Sequence, residues 1–471
     1  MKIIFPISKK FYFDISKKIF KKKNSVIYFI HENQQNNKKN IINTKKFYDF
    51  SEFKNIEFSK KKANKIINNK FYHKYEKFFT EVFNRTSYRN RTLKFKKQFF
   101  LKQVIFFIDF LKNKKIKKIF FTSTPHMGWS IPFYYACKIQ KVETIISHLT
   151  DIPNVCILRS GWEDKQFLEI KNKRVKFDDL IKKNLINPSL WTNKIRDRFT
   201  KSNVFIDHLR FWKFFFHILF IKKNEDIVDS CFFYDTKITK INKLIYYLKF
   251  YIHTVALNLS YYFFSRKVNH KEKYIYFAIH YQPERTTIPE SFFYGDQLKA
   301  IKKLRALIPK NIKIIIKEHP VQLLLWHPRP SQIKYRSLNF YREINSIQNT
   351  KIANIKEDSN KLIKNSLAVS TMTGSTGWEA LKKNKPAIVF GYPWYAKHPR
   401  CYIYKHINKK KINLIIKYKN QKSTNKESYI FLKKMEKYFF ISWIADHVTD
   451  KLEYKNLVEQ ASLVFKKILK L

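Results

Sequence analysis

Four stretches in the second half of the chain end apolar runs in residues suited to holding a phosphate or a sugar. Thr371–Leu381 reads TMTGSTGWEAL. A buried strand is expected to enter this Gly/Ser/Thr turn and continue into a helix. Gly374 and Gly377 permit close backbone approach, and the amides at the helix start, beside the hydroxyls of Ser375 and Thr376, suit an anion. Glu379, in the first helical turn, suits the hydroxyls of a ribose. No GK[ST] follows, so this is not a Walker loop; the plain alternative is an ordinary helix cap. Lys317–Pro320 reads KEHP at a strand end: Lys317 adds charge, His319 offers a donor for phosphate and Pro320 fixes the loop behind it. His280–Thr287 reads HYQPERTT. Gln282 supplies donor and acceptor together, while Glu284 and Arg285 either serve a ligand or pair with each other on the surface. Gly391–Tyr395 reads GYPWY, where Trp394 or Tyr395 either stacks on a base or sugar or belongs to the core.

The first half carries one such stretch, TSTPHMG at Thr122–Gly128. His126 is the candidate general base there, with a structural histidine as the alternative. Asp151 is an acid/base candidate after a neighbouring strand, and Glu163 a further one. Nothing in the sequence has metal-ligand spacing, so neither a metal nor a resident cofactor is expected.

Positioning these residues requires alternating strands and helices. Lys117–Ser123 reads as a buried strand, Ile131–Gln140 as a helix, Glu143–Leu149 as the next strand and Asn154–Arg159 as a further short one. Alternation resumes with strands expected at Tyr274–His280, Lys313–Glu318, Lys351–Ile355, Ser366–Met372 and Ala387–Gly391. Helices are expected at Asp296–Ile308, Asn339–Ile347, Ser359–Asn365 and Gly377–Asn384, and two more near Phe440–Val448 and Leu452–Leu469. The implied class is α/β, with two Rossmann-like domains facing a cleft (GT-B type) and C-terminal helices. The expected division is an N-terminal Rossmann-like domain over 1–200, a helical connector over 201–270, a C-terminal Rossmann-like domain over 271–435 and terminal helices over 436–471.

Composition narrows the partners. The chain has 471 residues, 44% of them hydrophobic, and a formal charge of +59. The excess is lysine, 80 Lys against 15 Arg, alongside much Ile, Asn, Phe and Tyr and only 6 Gly. That mix reads as a whole-chain compositional bias. Arginine, which forks onto bases and phosphates, is scarce, so no nucleic-acid partner is expected. A basic surface still suits peripheral contact with an anionic membrane. Cys137, Cys156, Cys231 and Cys401 are scattered and form no CxxC pair, which fits a reducing compartment. No signal-peptide core is visible at the N-terminus, and the expected location is cytoplasmic, peripheral on the inner face of the membrane. Leu244–Phe264 is long enough to span a bilayer but holds Lys249, His253, Asn258 and Ser260; a buried or interfacial helix is expected instead.

Taken together, the stretches resemble the capsule polysaccharide biosynthesis family, whose better-understood members are retaining β-Kdo transferases using CMP-Kdo. The resemblance covers Tyr274–Tyr395 and, more loosely, Phe120–Leu149. It implies a glycosyltransferase moving a sugar from a CMP- or UDP-sugar to a growing surface polysaccharide or its lipid acceptor. It also implies that His319 and Pro320, with Ser375 and Thr376, bind the donor phosphate, that Glu379 lies near the ribose and that Gln282 lines the donor site. The chain departs from the family where acidic residues are common in the PH-G loop: Met127 and Ser130 stand there, so either another carboxylate such as Asp151 substitutes or donor and mechanism differ. The alternatives are another enzyme of the same architecture, such as a UDP-sugar 2-epimerase or a glycerol-phosphate polymerase, or a basic binder of membrane or nucleic acid.

Overall fold

The computed structural model describes residues 2–6, 10–20, 26–30, 40–48, 51–87, 91–162, 166–170, 177–187, 204–220, 239–325, 333–417, 426–441 and 451–470. Glu163 lies outside them. In chain order the strands are β1 (Lys2–Pro6), β2 (Val26–Ile30), β3 (Ile41–Asn43), β4 (Ile116–Phe121), β5 (Glu143–Leu149), β6 (Val155–Arg159), β7 (Ser265–Arg266), β8 (Tyr274–Ala278), β9 (Lys313–Lys317), β10 (Thr350–Ala353), β11 (Ala368–Thr371), β12 (Ala387–Val389), β13 (Cys401–Ile403) and β14 (Phe439–Ile441). They form two sheets in two compact units, one of residues 1–184 and 432–471, the other of residues 185–431. Both are mostly parallel α/β units with helices, the Rossmann-like class expected.

The second sheet has the order β13-β12-β11-β8-β9-β10-β7, and every pairing in it is parallel. Numbered from β8, the six principal strands run 3-2-1-4-5-6, the dinucleotide-fold order. Burial on both faces explains the unbroken apolar runs: all five residues of β8 are buried, as are Ile314, Ile315 and Ile316 of β9. The helix Gln297–Leu307 buries Ala300, Ile301 and Leu304 at helical spacing against this sheet. Asp296 caps that helix through the Lys299 amide at 3.2 Å, and Asp358 caps Ser359–Asn365 through the Asn360 amide at 3.0 Å.

The first sheet has the order β14-β6-β5-β4-β1-β2-β3. It is parallel except where β6 turns back against β5 and β14 runs antiparallel to β6. The expected terminal appendage over 436–471 is therefore corrected. Phe439–Ile441 is an edge strand of the first sheet rather than part of a helix, and the rest of the helix expected to Val448 lies outside the described residues. The helix Lys451–Leu469 returns Phe465 onto Phe5, Tyr12 and Phe120, with ring centroids 4.7 to 6.3 Å apart. The expected connector over 201–270 is also corrected, because its described residues group with the second unit: the long helix Lys240–Phe264 buries Leu257 and Tyr261 in that unit's core.

Candidate phosphate and acceptor sites at the sheet switch points

In a sheet of this order the chain departs in opposite directions from β8 and β11, and loops beyond their carboxyl ends leave a crevice for ligand. The loops after β8, β9 and β11 meet there. His280, just past β8, is bracketed by Gln297, whose side-chain oxygen accepts from the His280 amide at 2.7 Å and whose nitrogen donates to the His280 carbonyl at 2.9 Å. The His280 ring spans two hydroxyls, Nδ1 with Thr286 at 3.0 Å and Nε2 with Thr371 at 2.7 Å. Thr286 already donates its proton to Glu284 at 2.7 Å. Nδ1 is therefore the donating nitrogen, and Thr371 donates to Nε2. Burial holds the His280 pKa down to about 4, so the ring is a neutral tie between β8 and β11.

The same tie explains a glycine. A Cβ on Gly374 would lie 2.5 Å from Cε1 of His280, and one on Gly377 would strike the Tyr395 hydroxyl, which donates to the Gly374 carbonyl at 2.5 Å. In a chain with so few glycines, these two mark a place where backbone and ring pack without room for a methyl group. Gly374→Ala is expected to push His280 off Thr371 and lower the unfolding free energy by about 1–3 kcal/mol; a denaturant titration that leaves the variant at the wild-type midpoint contradicts this.

Gly374 also begins the helix Ser375–Lys382 without any side-chain cap. Unlike the two Asp-capped helices, this one leaves its first amides open beside the half-buried Ser375 and Thr376, whose hydroxyls make no hydrogen bond among the described residues. His319, following β9, has a buried Nδ1 with no hydrogen-bond partner among the described residues. Burial lowers its pKa, opposed by the charges of Glu284 and Glu318. His280 and His319 each feel the charge of Glu284, which places the loops after β8 and β9 in one electrostatic cluster. Pro320 follows, at the first position of a short 3-10 turn.

Other expected ligand residues are already engaged. The Gln282 amide is spent at both ends, donating to the Gly295 carbonyl at 2.7 Å and accepting from Arg336 at 3.1 Å. Lys317 points to the loop before the helix Ser359–Asn365, donating to the Glu357 carbonyl at 2.5 Å and to Ser359 at 3.1 Å, with burial lowering its pKa to about 8. Glu379 is buried and paired with Lys382 at 2.9 Å. Trp394 is a core residue, its ring centroid 4.7 Å from that of Trp378 and 6.2 Å from that of Phe431. Arg285 pairs with the buried Glu290 at 3.1 Å rather than with Glu284.

Sequence reasoning missed the group that holds these loops together. Arg336, 1% exposed, donates to both carboxylate oxygens of the equally buried Glu318 at 2.9 and 3.2 Å, and to the His280 carbonyl at 2.9 Å. Tyr341 donates to Glu318 at 2.7 Å, and the His319 amide donates to it at 2.8 Å. No motif surrounds Arg336 in the sequence, and its partners lie 18 to 56 residues away.

Neutral buried imidazoles set a pH dependence. Besides His280, burial and then Arg400 hold His398 down to about 3. Their ordinary value is 6.5. As pH falls below it, the unfolded chain binds protons that the folded chain refuses until about 4 and about 3, so stability falls through that window. A denaturation midpoint declining between pH 6.5 and 5, above the range where most carboxylates titrate, is the expected result; a flat profile contradicts it.

In the first unit, the switch point between β1 and β4 holds a pocket of about 260 Å³. Pro6, Tyr12, Phe29, Phe133 and the segment from Thr122 to Met127 line it. His126 donates from Nδ1 to the Thr124 carbonyl at 2.7 Å. Ser130, where an acidic residue is common in the resembled family, closes the loop instead: its Oγ accepts from the Met127 amide at 3.1 Å and donates to the Met127 carbonyl at 2.8 Å. Asp151 is buried in the turn after β5, its carbonyl accepting from Asn184 at 2.9 Å.

Residues 294–398 match the family described as capsule polysaccharide biosynthesis protein. The stretch contains KEHP, TGSTGWEAL and Trp394. No curated protein matches the chain by sequence. Solved structures similar to it include Thermosulfurimonas dismutans KpsC, a beta Kdo 2,7 transferase, at 12% identity and a TM-score of 0.29 over 86% of this chain and 97% of that one. The UDP-GlcNAc 2-epimerase of Methanocaldococcus jannaschii follows at 11% and 0.24, over 92% and 99%. S. aureus MnaA in complex with UDP is similar at 10% and 0.21, over 100% and 95%.

Proposed function

From a chain whose residues 294–398 carry the pattern of the capsule polysaccharide biosynthesis family, we propose a glycosyltransferase that moves a sugar from a CMP- or UDP-sugar to a growing surface polysaccharide or its lipid acceptor. The observation that carries the reading is the uncapped start of the helix Ser375–Lys382 at the β8/β11 switch point, in the unit where His319 keeps a buried nitrogen with no partner among the described residues. Open amides, two hydroxyls and an imidazole donor are what a diphosphate or a phosphodiester needs. In this reading His319, Ser375 and Thr376 hold the donor phosphate. Gly374 and Gly377 permit the close approach, while Glu318 and Arg336 position the loop.

In the first unit, His126 is assigned the general base, its tautomer set by Thr124 so that Nε2 accepts the acceptor's proton. Asp151 is the assigned carboxylate in place of the acids missing at Met127 and Ser130. The test is product analysis of the purified chain with a panel of CMP- and UDP-sugars, CMP-Kdo first, and an oligosaccharide or glycolipid acceptor. Nucleotide release coupled to a lengthened acceptor is expected. A 2-epimerised UDP-sugar without transfer, or no turnover of any donor, overturns the reading. Within that assay Ser375→Ala is expected to lower kcat/KM by less than about tenfold, because the backbone amides remain; a loss as large as that of a His319 variant contradicts this assignment.

A further inference from the structure

The helix Lys240–Phe264 turns one face into its unit and leaves the other bare. Phe250, Leu257 and Tyr261 are buried. On the opposite side Ile241, Ile245, Leu248, Ile252, Leu259 and Phe263 are exposed, three of them (Ile241, Leu259 and Phe263) by 67 to 70%. Their steps of three, four and seven residues draw one apolar stripe along the helix, roughly 33 Å long at 1.5 Å per residue. The helix Val204–Phe220 packs beside it, with Phe211 stacked on Tyr251 at 4.3 Å. It too leaves apolar side chains outward, Leu209, Phe216 and Phe220. Contiguous exposed apolar surface of this extent marks an interaction face.

The surrounding charge selects the partner. Lys240–Phe264 has no acidic residue, and Lys249 is exposed at the border of its stripe. In Val204–Phe220 the sole acid, Asp207, is buried and paired with Arg210 at 3.5 Å, while Lys213 is exposed. An apolar stripe edged by lysines is what lies in the headgroup region of an anionic bilayer. A second copy of the chain would set lysine against lysine. A span across the bilayer is a different matter, since no helix among the described residues is long and apolar enough to cross a membrane. We propose that the outward face of Lys240–Phe264, extended by that of Val204–Phe220, is a docking surface for an anionic lipid membrane. This stands apart from the donor-site reading and is tested without any sugar substrate.

The experiment is flotation of the full chain with phosphatidylcholine vesicles, with and without phosphatidylglycerol, together with Trp212 fluorescence taken as the difference from Trp212→Phe. Binding to phosphatidylglycerol vesicles, a blue shift of Trp212 and weakening by salt are expected. Leu259→Ser/Phe263→Ser changes no charge and is expected to weaken partitioning at least about tenfold. Leu93→Ser, on an exposed apolar residue of the other unit, is expected to leave it unchanged. Light scattering and a thermal melt accompany each variant. Unaltered binding by the folded double variant overturns the proposal, as does an equal loss in Leu93→Ser. A dimer that the double variant dissolves, with no vesicle binding by the wild type, assigns the face to a second copy and overturns it too.

Discussion

Replacing His319 by alanine is expected to lower kcat/KM for sugar transfer about tenfold to a hundredfold while leaving the melting temperature within a degree or two of wild type. The asymmetry follows from what the ring does in the folded chain. Its Nδ1 is buried without a partner among the described residues, and the structural bonds of this residue run through its backbone, the amide donating to Glu318 at 2.8 Å and the carbonyl accepting from the Gln322 amide at 2.9 Å. Alanine keeps that amide. What it removes is a donor poised for a phosphate oxygen, and a hydrogen bond to a charged acceptor is worth about 1.5–3 kcal/mol. The loss appears in kcat if the bond tightens as the nucleotide leaves, and in KM alone if the bond is equal in the ground state. Full activity with a normal melt would remove His319 from the donor site and leave the Gly/Ser/Thr turn as a plain helix start.

The converse behaviour is expected of Arg336→Met: a loss of about 3–5 kcal/mol in unfolding free energy, enough to consume much of a typical domain's stability. Methionine fills most of the volume over Phe340, whose ring lies 4.3 Å below the guanidinium. It leaves the Glu318 carboxylate buried with Tyr341 and one amide as its neutral donors; the Gln282 side-chain oxygen loses the Arg336 donor, and the His280 carbonyl keeps only its bond from Gln297. Arg336→Lys restores the charge without the planar fork that reaches Glu318, Gln282 and His280 at once, so it is expected to rescue little. Pairing Arg336→Met with Glu318→Leu removes the stranded charge and is expected to recover part of the loss. Denaturant unfolding of these three variants and of Glu318→Leu alone decides this; additive losses in the pair would show that Glu318 and Arg336 do not act as a unit.

What the sequence disclosed and what it hid follow one physical line. β8, β9 and β11 are buried on both faces, so they stand out as apolar runs, and the helices between them show period and caps. The three-residue β13 has no such run. β14 takes its identity from β6, some 280 residues earlier, and the local string around Phe440 reads equally well as helix. At the site, types that bind phosphate at strand ends pointed to His319 and Ser375. The same types also stand where the fold has already engaged them. Gln282 and Lys317 are spent on backbone carbonyls, Glu379 on Lys382, and Trp394 on a neighbouring tryptophan. A side chain's chemistry is legible from its type; whether that chemistry is still available depends on partners brought in from far along the chain, as Arg336 is.

The edge strand β14 gives the order of synthesis a role. Residues 185–431 leave the ribosome before the last forty of the first unit exist. Throughout that interval β6, with Val155 to Arg159 all apolar or buried in the finished fold, has an unpaired edge on the side that Phe439–Ile441 will cover. An apolar strand with open amides and carbonyls is a template for any passing chain. The nascent protein thus carries an association-prone edge for as long as it takes to make the whole of the other unit. A stall or stop codon between residues 404 and 438 would leave that surface permanently open, so such fragments should fall to chaperones and proteases even though the entire second sheet has been translated.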